Sequence, residues 1–162
     1  RLLTIVGPGG AGKTRLALQA AADIRAETAQ RLAAASLVLD WPPPLIGGQG
    51  AAALPQDTAQ QYHLRALLQE AVSNAIRHAR ASQVSVRLSI LEGARMRLDV
   101  IDDGIGLDPQ HATSGHGLTS MQIRARALGG QIQWRQPDAG TAPPFSLGTH
   151  VEVIFPLQGR AS

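Results

Sequence analysis

The 162-residue sequence contains no cysteine, which excludes disulfide bonds, thiolate metal sites and cysteine nucleophiles. Aromatic residues make up only 3% of the chain, so few side chains could stack on the bases of a single-stranded nucleic acid. Charged residues are scarce at 17%, and the basic ones are scattered, so the net charge of +3 marks no patch for a nucleic-acid backbone. Apolar runs fall well short of the roughly 20 residues of a membrane-spanning helix. We therefore expect no nucleic-acid partner and a cytoplasmic location.

The chain begins at Arg1 and carries no signal-peptide pattern, so we expect a piece of a longer protein. Any attachment of the full-length protein to a membrane would then run through parts outside this sequence. The length is sufficient for one domain with a sizeable core. Hydrophobic residues make up 44% of the chain, which is typical of a globular protein.

Three regions of the chain differ in composition. Residues 1–23 combine an apolar strand, a Gly-rich turn and an Ala-rich helix, and residues 24–53 hold a lead-in strand and a linker rich in Pro and Gly. Residues 54–162 alternate between helix and strand patterns and predict a separate domain. Its predicted elements are helices over 57–81 and 118–128 and strands over 83–91, 96–101, 131–135 and 149–155. The predicted buried stripe of the first helix consists of Leu64, Leu67, Leu68, Ala71, Val72, Ala75 and Ile76.

Three segments of the third region carry candidate binding residues. Glu70, Asn74 and His78 stand four residues apart, so they share one face of the first predicted helix, which fits a solvated face as well as a site. Residues 102–106, Asp-Asp-Gly-Ile-Gly, follow directly on a strand, where a carboxylate and two glycines let a flat ligand approach the backbone. Residues 115–118, Gly-His-Gly-Leu, precede a helix whose free N–H groups favour an anion. Alone, the second segment is also typical of a turn and the third of a flexible loop.

Together and in this order, the three segments resemble the ATP-binding domain of sensor histidine kinases, in the superfamily that includes gyrase, MutL-type repair proteins and heat-shock chaperone ATPases. Residues 69–79 resemble the N box of that domain, 102–106 its G1 box and 115–118 its G2 box. Gly148-Thr149 resembles the final glycine box. The amino-acid sequences of these boxes are most similar to those of the nitrate-sensor subgroup, and the resemblance covers about residues 24–157.

The resemblance implies a two-layer α/β sandwich, in which helices cover one face of a mixed, mostly antiparallel sheet. It also implies that ATP and Mg²⁺ bind between the long helix and a lid over residues 107–117. Asn74 would ligate Mg²⁺, Glu70 would orient or deprotonate the attacking group, and Asp102 would accept a hydrogen bond from the adenine amino group. The other residues implied to contact the nucleotide are Arg77, His78, Gly104, Gly106, Gly115, His116, Gly117, Leu118 and Thr149.

The function implied by the resemblance is that of the catalytic domain of a protein histidine kinase in a two-component signal-transduction system. The domain would transfer the γ-phosphoryl group of ATP to a histidine on a dimerisation domain, from which a response regulator takes it in a phosphorelay. No segment of this sequence resembles the phosphoacceptor helix, so we expect no phosphorylation in cis. A non-catalytic ATP-binding module, similar to an anti-sigma factor, is an alternative that keeps the same motifs.

A further motif lies near the start of the chain. Residues 7–14 fit the phosphate-binding loop Gly-x-x-x-x-Gly-Lys-Thr, between an apolar strand and a helix, and residues 1–23 resemble the start of the ATPase domain of bacterial transcriptional regulators. The strand that ends at Asp40 resembles the magnesium-binding strand of such ATPases. These ATPases need several parallel strands, but only one strand–helix unit is evident here. A phosphate-loop NTPase or regulator fragment is therefore kept as a second alternative and not as the main prediction. The residues of this predicted second phosphate site are Gly7, Gly12, Lys13 and Thr14.

Overall fold

The computed structural model describes residues 3–6, 36–40, 57–106, 116–137 and 147–157, with the backbone alone described at 3–6, 36–40 and 116. The strands are β1 (Leu3–Val6), β2 (Ser36–Asp40), β3 (Gln83–Leu91), β4 (Arg95–Asp102), β5 (Gln131–Arg135) and β6 (His150–Pro156). The helices are α1 (Thr58–Arg77) and α2 (His116–Ala127). Within these described ranges, neither helix has the length and apolar character needed to cross a membrane.

The strands form one mixed sheet of six strands in the order β1-β2-β3-β4-β6-β5. β1 pairs with β2 and β2 with β3 in parallel, and the other neighbouring strands are antiparallel. α1 and α2 contact each other and pack against β4 and β5. The observed architecture is therefore the predicted α/β sandwich of two layers, with a mostly antiparallel sheet and both described helices on one face.

The core lies between the two helices and the sheet. Alternate residues of β3, β4 and β6 face it, because successive side chains of a strand point to opposite faces. The register pairs Val86 with Val100 and Val100 with Val151 across the three strands. Met96 and Phe155 are fully buried in the same cluster. Burying one side chain of this size contributes roughly 1.5–3 kcal/mol, so this layer supplies much of the stability of the fold.

The start of α1 lies where the sequence predicts it. Asp57 is the N-cap, and its side chain accepts a hydrogen bond from the backbone N–H of Gln60 at 2.8 Å. Gln60 is itself buried, and its Nε2 donates to the backbone oxygen of Pro156 at 3.0 Å, which ties the start of α1 to the end of β6. The predicted buried stripe does not include Gln60, because the prediction is based on the spacing of apolar residues. Leu68, a predicted member of the stripe, is only partly buried.

α1 ends at Arg77, four residues before the predicted end. The backbone N–H groups of His78 and Ala79 both donate to the backbone oxygen of Asn74, at 2.9 and 3.1 Å. Arg80 then adopts a φ of 55°, a left-handed conformation that cannot continue a right-handed helix. The apolar pattern ran past the end of the helix because Ala79 is buried in the turn that follows.

β1 and β2 extend the sheet beyond the domain predicted over 54–162. The register places Val6 of β1 beside Asp40 of β2. The strand predicted for residues 1–23 therefore pairs with β2. An isolated strand–helix unit would lack such a partner strand and could not bury both faces of its strand. The division of the chain into 1–23, 24–53 and 54–162 stays a prediction.

The sheet face opposite the helices carries a network of charged side chains. His150 Nε2 lies 2.7 Å from Asp99 Oδ1, and both residues are buried. Arg97 Nη2 lies 2.8 Å from the same Asp99 oxygen and 2.8 Å from Glu152 Oε2. Burial raises the pKa of Asp99, but the hydrogen bonds with His150 and Arg97 and their positive charge outweigh it, so this pKa lies below its ordinary value.

Replacing Asp99 with asparagine should destabilise the protein at neutral pH and make its free energy of unfolding less dependent on pH in the acid range. Because the folded-state pKa of Asp99 is lowered, its carboxylate stabilises the fold above the unfolded-state pKa of about 4, and this stabilisation is lost as the pH falls through the folded-state value. We expect Asp99→Asn to lower the free energy of unfolding by about 1–3 kcal/mol at pH 7, measured by urea denaturation. Glu92→Gln, an exposed acid outside the network, is the control, and an Asp99→Asn variant with the pH dependence of the wild type would contradict this account.

Candidate functional site

The start of α2 lies directly against two polar side chains of α1. A Cβ atom added to Gly117 would collide with Glu70 Oε1 and would lie 3.3 Å from Asn74 Nδ2. Further along α2, the guanidinium of Arg124 lies 5.7 Å from the centre of the Tyr62 ring. α2 therefore runs antiparallel to α1, and its positive amino-terminal end meets the Glu70 carboxylate.

Asp102 is the last residue of β4 and is buried. Its Oδ1 accepts hydrogen bonds from the backbone N–H groups of Gly104 at 2.9 Å and Thr149 at 3.2 Å. Its own backbone N–H donates to the backbone oxygen of Thr149 at 3.0 Å. The carboxylate is thus held in place by backbone groups of the loop after β4 and of the residue before β6.

The protonation of Asp102 is perturbed by this setting. Burial raises its pKa above the ordinary value, because removing a carboxylate from water disfavours the charged form. The hydrogen bonds from Gly104 and Thr149 lower the pKa in part, and the neighbouring charge of Asp103 raises it. A carboxyl whose pKa is perturbed by burial is a candidate for a functional group.

Two glycines are required where the backbone segments of the site touch. A Cβ on Gly104 would collide with the backbone oxygen of Ala79, just after α1, and a Cβ on Gly148 would collide with the backbone oxygen of Asp102. The N–H of Ile105 also donates to the oxygen of Ala79 at 3.0 Å. These contacts bring the loop after β4 to the carboxyl-terminal end of α1, so the absence of a side chain at Gly104 has a reason within the fold. The predicted room for a nucleotide ring beside Gly104 stays a prediction.

Asp103, next to Asp102 in sequence, has a different role. Its Oδ1 accepts from the backbone N–H groups of Ser82 at 2.7 Å and Gln83 at 2.8 Å, and its Oδ2 accepts from the Ser82 hydroxyl. These bonds anchor the loop after β4 to the start of β3. The structure therefore makes Asp103 a structural anchor, whereas Asp102 stays the predicted adenine-binding carboxylate, a distinction that the sequence of two adjacent aspartates does not contain.

Several other predicted contact residues lie around the same region. Arg77 and His78 are exposed at the carboxyl-terminal end of α1, and Leu118 is partly buried against the core. Gly106 adopts a φ of 81°, in the left-handed region that favours glycine, and a Cβ there would lie 3.0 Å from the backbone oxygen of Leu147. Their predicted contacts with a nucleotide stay predictions.

Other predicted residues fall outside what the structure describes. Of His116, the first residue of α2, the backbone alone is described. The lid predicted over 107–117 is described only from His116 onward. The predicted contact residues outside the described ranges are Gly115, Gly7, Gly12, Lys13 and Thr14.

The residues near the end of α1 could hold a cation only if a bound ligand supplied further oxygen atoms. The side-chain nitrogen of Asn74 faces Gly117, so its side-chain oxygen is left to coordinate a hard cation. Within the described ranges, however, no group of three or more His, Asp or Glu side chains is placed to hold a metal ion. Mg²⁺ commonly binds through one or two protein oxygens together with substrate phosphates, so this set suits a magnesium ion that arrives with a nucleotide.

The magnesium binding that the resemblance implies should therefore depend on the nucleotide. We expect isothermal titration of the protein with MgCl₂ alone to give no saturable heat in the millimolar range, whereas ATP with Mg²⁺ should bind at least about 10-fold more tightly than ATP with EDTA. Asn74→Ala should remove most of this difference. Saturable Mg²⁺ binding in the absence of nucleotide would contradict the arrangement.

The structure also adds residues that the sequence motifs did not single out. Ala79 accepts the hydrogen bond that brings the loop after β4 to α1, and Asp103 anchors the same loop to β3. The buried pair of Asp99 and His150 is separated by 51 positions. Local spacing carries no signal for such pairs, although the alternation along β4 does place Asp99 on the face opposite the core.

Comparisons with known proteins bear on this site. The family model described as "Histidine kinase-, DNA gyrase B-, and HSP90-like ATPase" matches residues 59–159. The nitrate/nitrite sensor protein NarQ of Escherichia coli K12 is 33% identical over 130 residues, which are 80% of this chain and 20% of NarQ. The sensor histidine kinase LiaS of Bacillus subtilis is 38% identical over 107 residues, which are 63% of this chain and 28% of LiaS. This chain thus spans less than a third of the length of these curated relatives.

Solved structures share the fold. A blue-light-activated histidine kinase of Erythrobacter litoralis superposes with a TM-score of 0.64 at 19% identity, over 86% of this chain and 43% of that one. The ATP-binding domain of PrrB from Mycobacterium tuberculosis superposes with a TM-score of 0.61 at 19% identity, over 90% of this chain and 94% of that one. The predicted fold class is therefore confirmed.

Proposed function

Because this chain belongs to the family of histidine kinase-, DNA gyrase B- and HSP90-like ATPases, which confirms the resemblance of its motifs, we propose that it binds ATP at the carboxyl-terminal end of α1 and acts as the catalytic domain of a sensor histidine kinase. ATP binding is a property of this family, whereas the position of the nucleotide, the magnesium ion and the partner domains are part of the proposal. The observation that carries it is the convergence of three segments, in which the loop that follows Asp102 contacts Ala79 just after α1, and Gly117 lies against Glu70 and Asn74 of the same helix.

Asp102 recognises the adenine ring in this proposal. Two backbone donors bind its Oδ1 and hold the carboxylate in one orientation. Adenine carries an amino group that donates to a carboxylate, whereas guanine carries an oxygen at the corresponding position and would be repelled. A preference for ATP over GTP follows from the charge of this one group.

Glu70, Asn74 and the start of α2 act on the phosphates. The free N–H groups and the dipole at the start of α2 favour an anion. The Asn74 oxygen would hold Mg²⁺, which would supply positive charge to the phosphates when bound. Glu70 orients the attacking imidazole of the acceptor histidine or accepts its proton, as a general base would. The chain thus contributes positioning and charge, and no covalent intermediate on the protein is needed.

The substrate histidine and the response regulator are supplied by other domains. The γ-phosphoryl group of ATP passes to a histidine of a dimerisation domain and from there to an aspartate of a response regulator. Two relatives carry names that fit this role, since NarQ is a nitrate/nitrite sensor and LiaS a sensor histidine kinase. This chain contributes the nucleotide-binding part of that sequence of reactions.

Phosphotransfer in trans tests the proposed function. The chain is incubated with labelled ATP, Mg²⁺ and a separately purified dimerisation domain that carries a phosphoacceptor histidine. We expect label on that histidine, and a rate about 10²–10⁴-fold lower with Glu70→Gln at an unchanged affinity for ATP. Bound ATP with an unlabelled histidine would favour the non-catalytic binding module instead.

A second nucleotide site at the phosphate-binding loop is favoured by one specific observation. β1 and β2 are parallel neighbours, and Val6, the residue before the loop, pairs with Asp40. In phosphate-loop NTPases the loop and a strand-end aspartate hold the magnesium ion together, and this register suits such a pair. ATP affinities of Lys13→Ala and Asp102→Ala decide between the sites, since loss with Lys13→Ala alone would assign the nucleotide to the loop.

A further inference from the structure

Gly117 differs from the other crowded glycines of the site in what surrounds it. Added Cβ atoms at Gly104 and Gly148 would collide with backbone, which cannot move without breaking the sheet or the loop. At Gly117 the colliding atom is Glu70 Oε1, the far end of a flexible side chain, and the next is Asn74 Nδ2 at 3.3 Å. A side chain at Gly117 would therefore displace the Glu70 carboxylate at little cost to the fold.

We propose that Gly117 is a positioning residue, whose missing side chain sets where the Glu70 carboxylate lies. The inference rests on the proposed kinase function, because the position of Glu70 matters to turnover only if Glu70 acts on the attacking histidine. Misplacing a catalytic group by about 1 Å can lower a rate by roughly 10²-fold. Gly117 would therefore act on turnover through Glu70, and its effect would be separable from the binding of ATP.

The substitution Gly117→Ala tests this contact. The melting temperature should be unchanged or higher, because alanine favours a helix more than glycine does. The KM for ATP should stay within about threefold of the wild type, while turnover in the trans-phosphorylation assay falls by roughly 10–100-fold. The control is Thr119→Ala, an exposed change in the same turn of α2 that should alter neither quantity.

A double-mutant cycle separates this role from a direct phosphate contact. In a Glu70→Gln background, Gly117→Ala should cause no further loss of turnover, because the carboxylate that it displaces is already gone. Additive losses, or a KM that rises with Gly117→Ala, would overturn the role of Gly117. Full turnover in Glu70→Gln alone would instead overturn the role of Glu70 in the proposed function.

A crystal structure of Gly117→Ala decides the contact whether or not turnover is measurable. The expected result is a rotated Glu70 side chain with α1 and α2 in their wild-type positions. A Glu70 carboxylate that stays in place while the start of α2 moves would overturn the proposal.

Discussion

Gly148→Ala should cost about 3–5 kcal/mol of stability and abolish ATP binding. The added Cβ would collide with the backbone oxygen and carbonyl carbon of Asp102 and would lie 2.8 Å from its Oδ1. Relief requires Gly148 to move away from the end of β4, which breaks the two hydrogen bonds that join the Thr149 backbone to the N–H group and to the carboxylate of Asp102. The estimate combines overpacking of about 1–3 kcal/mol with the loss of these bonds at about 1 kcal/mol each.

Urea denaturation measures this effect, and a matched glycine substitution controls it. Gly93→Ala introduces the same methyl group at a φ of 71° with nothing within 4 Å, so only the left-handed backbone opposes it, at about 1–2 kcal/mol. If both variants lost the same stability, the close approach of Gly148 to Asp102 would not be the cause. A stable Gly148→Ala variant with normal ATP affinity would contradict the role of this contact in the site.

Asp102→Asn should lower the affinity for ATP by about 10–100-fold while leaving the protein folded. The amide retains the size of the carboxylate and an oxygen that can accept from Gly104 and Thr149. Its NH₂ group, however, meets the adenine amino group as a second donor, and a hydrogen bond to a charged group is worth about 1.5–3 kcal/mol. The preference for ATP over GTP should shrink as well, because an amide can donate to the guanine oxygen. Calorimetry with both nucleotides measures these changes.

Asp103→Asn is the control for Asp102→Asn. It should weaken the bonds to Ser82 and Gln83 and lower stability by about 1 kcal/mol, but it should leave the affinity for ATP within about threefold of the wild type.

The pH dependence of ATP binding provides a second check on Asp102. Because the pKa of Asp102 is raised, the free protein protonates this carboxyl at a higher pH than an ordinary aspartate, and ATP affinity should fall as the pH drops through that value. Equal losses of affinity in the two variants would rule out Asp102 as the specific adenine acceptor.

The elements of the domain could be predicted closely where the local pattern is strong. β3 and β5 have the predicted bounds, because alternating apolar residues are bordered by turns. α2 begins at His116, two residues before the predicted start, because glycine disfavours a helix and Gly117 therefore favours a loop in the sequence pattern. Glu70 Oε1 lies where a Cβ of Gly117 would be, so the contact with Glu70 favours a glycine at this position of the helix.

The sequence by itself determined the order of the motifs, and through their resemblance to a known family also the family and the fold class, because short motifs are properties of neighbouring residues. Only the tertiary structure decided that Asp103 is an anchor, that Gly148 approaches Asp102, and that β1 continues the sheet. Those features depend on segments far apart in the chain, such as Asp102 and Thr149 at a separation of 47 positions. Strand pairing and close packing bring such segments together, and neither leaves a periodic signal in the residues on either side.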